Sequence, residues 1–169
     1  MRIVVSDSSC LIDLRKASLL AAFLKLPYEI LIPNTLFDDE LLKFTAAEKR
    51  SLVRNGLKVV DVPGPGVLRA REIIQKTPRL SIHDGFAFAV AESHAGCILV
   101  TGDGLLRSVA SDHGIEVHGV LWIINELHDH AIEAPATLAS ALRRFAEDQT
   151  VRLPRRDLLN AIRRYEGLS

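Results

Sequence analysis

Short apolar runs alternate with longer stretches of helical spacing along most of the chain. Residues 2–6, Arg-Ile-Val-Val-Ser, centre on an apolar run and close on Asp7, Ser8 and Ser9, which predicts a buried strand ending in turn-type residues. Leu11, Leu14, Leu19, Leu20 and Phe23 follow on helical spacing, predicting one helix capped by Ser8 or Ser9 and ended by Pro27. Residues 29–32 read as a second strand. Pro33 opens a turn into a helix over 34–44, with Leu36, Phe37, Leu41 and Phe44 on one side. A short helix over 46–54 and a third strand over 57–60 come next. Pro63-Gly64-Pro65-Gly66 reads as a loop before a helix over 67–76. A longer helix over 81–94 carries close-packing positions at Ala87, Ala89 and Ala91. A fourth strand over 97–100, a helix over 104–111, a fifth strand over 115–117 and a helix over 119–128 complete this pattern.

Short apolar strands alternating with helices imply an α/β fold whose mostly parallel sheet is covered on both faces. Sites in such sheets form at the C-terminal ends of strands. The pattern changes near residue 133, where two amphipathic helices follow, over 137–147 and 154–166. Leu138, Leu142 and Phe145 line one face, and Leu158, Leu159, Ile162 and Tyr165 line the other. The expected organisation is a domain over 1–132 with a helical extension over 133–169, packed on that domain or on a partner.

Composition narrows the class. The chain has 169 residues, 48% apolar and 25% charged, which suits one globular domain rather than a disordered chain. No apolar run approaches the roughly 18 residues of a membrane span. Met1-Arg2 leads directly into a strand rather than a signal peptide, so a cytoplasmic location without membrane attachment is expected. Cys10 and Cys97 lack metal-site spacing and read as small buried hydrophobes. The 21 basic and 21 acidic residues cancel, which argues against a large electrostatic nucleic-acid surface while permitting a local one. Arginines cluster at 69 and 71, 143 and 144, 155 and 156, and 163 and 164. The Pro63–Gly66 segment does not suit a phosphate cradle, because its prolines remove backbone donors.

Acidic residues fall where a parallel sheet builds a site. Asp7 ends the first strand, and Asp103 follows the fourth in Leu99-Val100-Thr101-Gly102-Asp103. Asp84 stands in the first turn of the 81–94 helix, and Asp39 or Glu40 comes from the helix after the second strand. Taken singly, Asp7 and Asp84 suit helix caps, Asp103 a turn, and Asp38-Asp39-Glu40 a solvated face. Taken together, carboxylates within ~4–6 Å raise each other's pKa and must share protons or bind a cation. Oxygen donors select Mg²⁺ or Mn²⁺, and such an ion suits in-line hydrolysis of a phosphodiester.

Four segments in order resemble those of the PIN-domain family. Val4-Val5-Ser6-Asp7-Ser8-Ser9-Cys10-Leu11-Ile12 resembles the family's opening strand with Asp-x-Ser/Thr. Ile32-Pro33 through Asp39-Glu40-Leu41 resembles its Pro-led acidic helix. His83-Asp84-Gly85-Phe86-Ala87 resembles its Asp-led, Ala-rich helix, and Thr101-Gly102-Asp103 its Thr-x-Asp. The resemblance covers roughly residues 1–128. The tail from Gly119 through Leu153-Pro154-Arg155 resembles the C-terminal extension of longer prokaryotic PIN proteins of the VapC toxin type.

The resemblance implies a three-layer fold and a metal-dependent ribonuclease. Asp7, Asp84 and Asp103, with Asp39 or Glu40, would hold one or two Mg²⁺ or Mn²⁺ ions. Spacing from Pro33 favours Asp39, whereas residue type and the following Leu favour Glu40. Ser9 and Thr101 would orient the acids from behind, or else serve only local backbone hydrogen bonds. Arg107, Arg79 and Lys76 are candidates to hold the strand. His83 reads as structural or exposed, since Mg²⁺ prefers oxygen. His128 and His130 suit a helix end. The resemblance further implies RNA as substrate, a small antitoxin that blocks the acidic site, and a homodimer. Two rivals remain at this point: a PIN-like protein-binding module with an idle site, and a receiver-like or dehalogenase-like phosphotransfer domain using Asp7. The dehalogenase pattern wants an Asp where Ser9 stands.

Overall fold

The computed structural model describes the whole chain, Met1–Ser169. The elements run β1 (Arg2–Ser6), α1 (Ser8–Lys16), α2 (Leu20–Phe23), β2 (Tyr28–Pro33), α3 (Asn34–Asp39), α4 (Ala46–Arg54), β3 (Lys58–Val60) and α5 (Gly64–Lys76). They continue through α6 (Ile82–Glu92), β4 (Ile98–Val100), α7 (Gly104–Asp112), β5 (Glu116–His118), α8 (Val120–Asp129), α9 (Pro135–Glu147) and α10 (Arg155–Leu168). The α/β architecture read from the alternation is the one the chain adopts.

All five strands are parallel, in the order β3-β2-β1-β4-β5. The chain moves outward from β1 to β2 and β3, then returns to lay β4 on the other side of β1. That reversal opens a crevice beyond the C-terminal ends of β1 and β4, where ligands settle in open parallel sheets. Receiver-like sheets place the third strand beside the first. Here β3 lies at an edge beyond β2, so the receiver-like alternative is corrected by the topology.

Val4 and Val5 of β1 and Ile98, Leu99 and Val100 of β4 are buried, as central strands covered on both faces require. Helix α6 packs against β1, β2 and β4, with α3, α5 and α7 beside it. Helices α1, α2, α8 and α9 pack with one another. Leu138, Leu142, Phe145, Leu158 and Tyr165 belong to the same buried cluster as Val4 and Leu99. The C-terminal helices therefore share the core of the sheet rather than building their own.

Four local expectations are corrected. The helix expected through Phe23 is two, because Ser18 takes the left-handed conformation (φ 57°) and turns the chain after α1. The cap of α1 is Asp7, not Ser8 or Ser9. The helix expected over 34–44 stops at Asp39, and Thr45 restarts the chain through a capping box with Glu48. The Pro63–Gly66 segment is partly helical: α5 begins at Gly64 and places Pro65 in its first turn, where a missing N–H costs nothing.

Candidate active site

Asp7 leaves β1 at the crevice and is only 4% exposed. Its Oδ1 accepts from the Ser8 amide at 2.9 Å, which caps α1. Its Oδ2 accepts from Thr101 Oγ1 at 2.7 Å and from Ser9 Oγ at 3.0 Å. Each hydroxyl also accepts from the loop after β4: Thr101 Oγ1 from the Asp103 amide at 3.0 Å, Ser9 Oγ from the Gly102 amide at 2.9 Å. One carboxylate thus ties the loops after β1 and β4 together. Burial pushes the Asp7 carboxyl up to about 6. The Thr101 and Ser9 hydroxyls oppose that rise, while the charges of Asp84 and Glu40 add to it.

Asp84 sits at the third position of α6. Its Oδ2 accepts from the Ser81 amide at 2.9 Å while Ser81 Oγ accepts from the Asp84 amide at 3.1 Å, a reciprocal capping box. Asp103 caps α7, its Oδ1 accepting from the Leu106 amide at 3.0 Å. In both residues the second carboxylate oxygen takes no hydrogen bond from the chain. Three helix N-termini, those of α1, α6 and α7, therefore carry acids, and the positive end of each helix eases the negative charge beside it. The cap role and a ligand role are compatible, because a cap uses one oxygen of two.

The two candidates from the second segment part company. Glu40 Oε1 accepts from Ser8 Oγ at 2.7 Å, which brings it beside the Asp7 loop. Asp39 turns to His83, Oδ2 to Nε2 at 3.1 Å, and is the more exposed of the pair. His83 stands between them, its Nδ1 3.9 Å from Glu40 Oε2. Sequence reasoning named Ser8 only as a cap and gave His83 no link to Asp39. Nothing in spacing alone signals either contact, since both depend on where α3 ends.

Among the basic candidates, Arg107 Nη1 lies against Gly119. Arg79 and Lys76 are exposed at the end of α5 and in the turn before α6. No lysine or arginine pairs with Asp7, Glu40, Asp84 or Asp103. The donors are thus hard oxygens without a cationic partner, which in kind fits Mg²⁺ or Mn²⁺. In spacing, no three of these side chains stand close enough to enclose an ion.

A family model described as a PIN domain matches residues 3–166. The chain belongs to the PIN-domain family. The match runs through α9 and into α10, so both C-terminal helices fall within it. PIN domains are generally nucleases and typically use divalent metal ions, which supports a hydrolase. A search of curated proteins returned no match. No helix of this PIN protein is long and apolar enough to cross a membrane.

Proposed function

We propose that this PIN protein is a divalent-metal-dependent ribonuclease that hydrolyses RNA phosphodiester bonds at Asp7, Glu40, Asp84 and Asp103, with Asp39 one step outside. The observation that carries the reading is Asp7: a nearly buried carboxylate, raised first by that burial and then by the charges of Asp84 and Glu40, and met by no basic side chain. Such a group is destabilising alone and is stabilised by a bound cation. Mg²⁺ or Mn²⁺ held by these acids supplies Lewis-acid chemistry that offsets charge building on the phosphate. The chain's own contribution is orientation. Thr101 and Ser9 fix the Asp7 carboxylate, the α6 and α7 caps fix Asp84 and Asp103, and Ser8 fixes Glu40.

The test is RNA cleavage with Mn²⁺ by the parent, Asp7→Asn and Asp103→Asn. Both variants should lose cutting while remaining folded. Equal activity in all three proteins refutes the site. The resemblance to VapC-type proteins extends the proposal to a cytoplasmic toxin working as a homodimer, with a small antitoxin covering the acids. A second reading, a protein-binding module, draws on the spacing of the acids, no three of which close around an ion. Thermal melting with and without Mn²⁺ separates the two, because an ion that binds the folded state raises its stability and an idle site gives no rise.

A further inference from the structure

A cleft of about 490 Å³ opens beside the acids, between α1, the loop into α7 and the connector from α9 to α10. Ser9, Asp13, Lys16, Asp103, Thr150 and Arg152 line it. That volume lies in the ~300–1,000 Å³ range of sites that take small ligands, enough for a nucleotide unit. The connector is held in place. Asp148 Oδ1 accepts from both the amide and the hydroxyl of Thr150, and Lys16 Nζ donates to Thr150 Oγ1. Val151 is buried in the core. The next residue, Arg152, is exposed at the cleft.

The two cations of this cleft differ. Lys16 is occupied by Thr150 and lies 4.0 Å from both Asp13 and Asp148. Arg152 makes no ion pair or side-chain hydrogen bond, although it shares the cleft with Asp103. A polyanion approaching four carboxylates is repelled at every phosphate that a bound cation does not offset. A guanidinium offers a planar fork matched to phosphate oxygens.

We propose that Arg152, carried by the α9–α10 connector, grips a backbone phosphate of single-stranded RNA flanking the bond to be cut, making the C-terminal helices part of the substrate grip. This rests on the ribonuclease reading above. Arg152 is a binding residue with no part in the bond-breaking step. Its loss therefore weakens substrate in the ground and transition states alike.

The experiment measures steady-state cleavage of a single-stranded oligoribonucleotide with Mn²⁺ by the parent, Arg152→Ala, Arg152→Lys and Arg156→Ala. Binding of the same RNA to the Asp7→Asn background is followed across a salt series. Arg152→Ala should raise KM about tenfold with kcat unchanged, and the salt slope should fall by about one phosphate contact. Lysine should restore part of the loss, because it keeps the charge without the fork. Arg156→Ala, outside the cleft, should match the parent, and melting temperatures should agree throughout. A parent that cuts RNA alongside an Arg152→Ala protein of equal KM and equal salt slope overturns this proposal alone. A kcat loss in Arg152→Ala with KM unchanged also overturns it. A parent that neither binds nor cuts RNA overturns the ribonuclease reading and this inference with it.

Discussion

Asp7 lies almost out of water at the end of β1, with its carboxyl raised from 3.8 to about 6 chiefly by burial. The folded state then binds more protons than the unfolded state between those values. Stability must fall as pH rises through that window, and the deficit is complete above pH 6. In the absence of a cation, that rise corresponds to a penalty of roughly 2–3 kcal/mol. Asp7→Asn should therefore raise the melting temperature at pH 7.5 in chelator, with the advantage vanishing near pH 4. Asparagine keeps an oxygen for the Ser8 amide, and the neighbouring hydroxyls can rotate to meet its amide group. A stability gain that persists unchanged at pH 4 would remove the charge as its cause. Thr101→Val should act oppositely. Thr101 is fully buried and serves Asp7 as donor and the Asp103 amide as acceptor, so loss of its hydroxyl leaves two partners unmet. The expected cost is about 1–3 kcal/mol by urea titration. At this scale the acids were visible in the sequence by type and position. Choosing Glu40 over Asp39 as the neighbour of Asp7 was not possible, because consecutive residues on a helix point about 100° apart and which of the two faces Asp7 depends on how α3 is set against the sheet.

Helix α6 shows how an element is fixed by its own first turn and by what crosses it. Ser81 and Asp84 cap it reciprocally, and Gly85 follows where α5 passes close. A Cβ at Gly85 would meet the Ala70 carbonyl oxygen and Cβ at 3.1 Å and Ile74 Cδ1 at 3.0 Å. Two effects compete in Gly85→Ala. Helix propensity favours alanine by about 1 kcal/mol, whereas overpacking costs about 1–3 kcal/mol. Two of the three close atoms belong to Ala70, which cannot swing away. Overpacking should win, giving a net loss of about 1 kcal/mol by urea titration and a drop in cutting through the displaced Asp84. A more stable variant would show that α5 recedes freely. Periodicity located the element over 81–94, against Ile82–Glu92 in the structure, because its apolar and capping signals agree. The break after α1 escaped it, since a left-handed Ser18 leaves the apolar spacing of Leu14, Leu19 and Phe23 undisturbed. The early start of α5 escaped it for a different reason: Pro-Gly pairs carry the same signal in a loop and in a first helical turn.

The strand order brings the loops that carry Asp7 and Asp103 side by side. Asp7 and Asp103 stand far apart along the chain yet meet through Thr101, because β4 returns to the side of β1 that β2 leaves open. Alternation of strands and helices implied a parallel sheet but could not give this order, which depends on contacts made after the chain doubles back. The C-terminal helices raise the corresponding question of unity. Tyr165 is completely buried and donates from its hydroxyl to Asn125 Oδ1 of α8 at 2.6 Å, and its ring meets His128 of α8 edge-on. If α9 and α10 were a detachable appendage, removing Tyr165 would loosen them and leave the sheet untouched. If they complete the core, the loss must spread through the whole molecule. The single tryptophan, Trp122 in α8, separates these outcomes because it stacks on His118 of β5 and so reports on the edge of the sheet. Tyr165→Ala should cost about 3–5 kcal/mol. It should shift urea transitions followed by Trp122 fluorescence and by far-ultraviolet circular dichroism to the same lower midpoint, as one cooperative unit requires. Tyr165→Phe, which gives up only the hydroxyl bond, should move both by about 1 kcal/mol. A fluorescence transition that stays at the parent midpoint while the dichroism splits into two steps would make α9 and α10 a separate unit, and the core they share with β1 and β4 would then contribute little to the stability of the sheet.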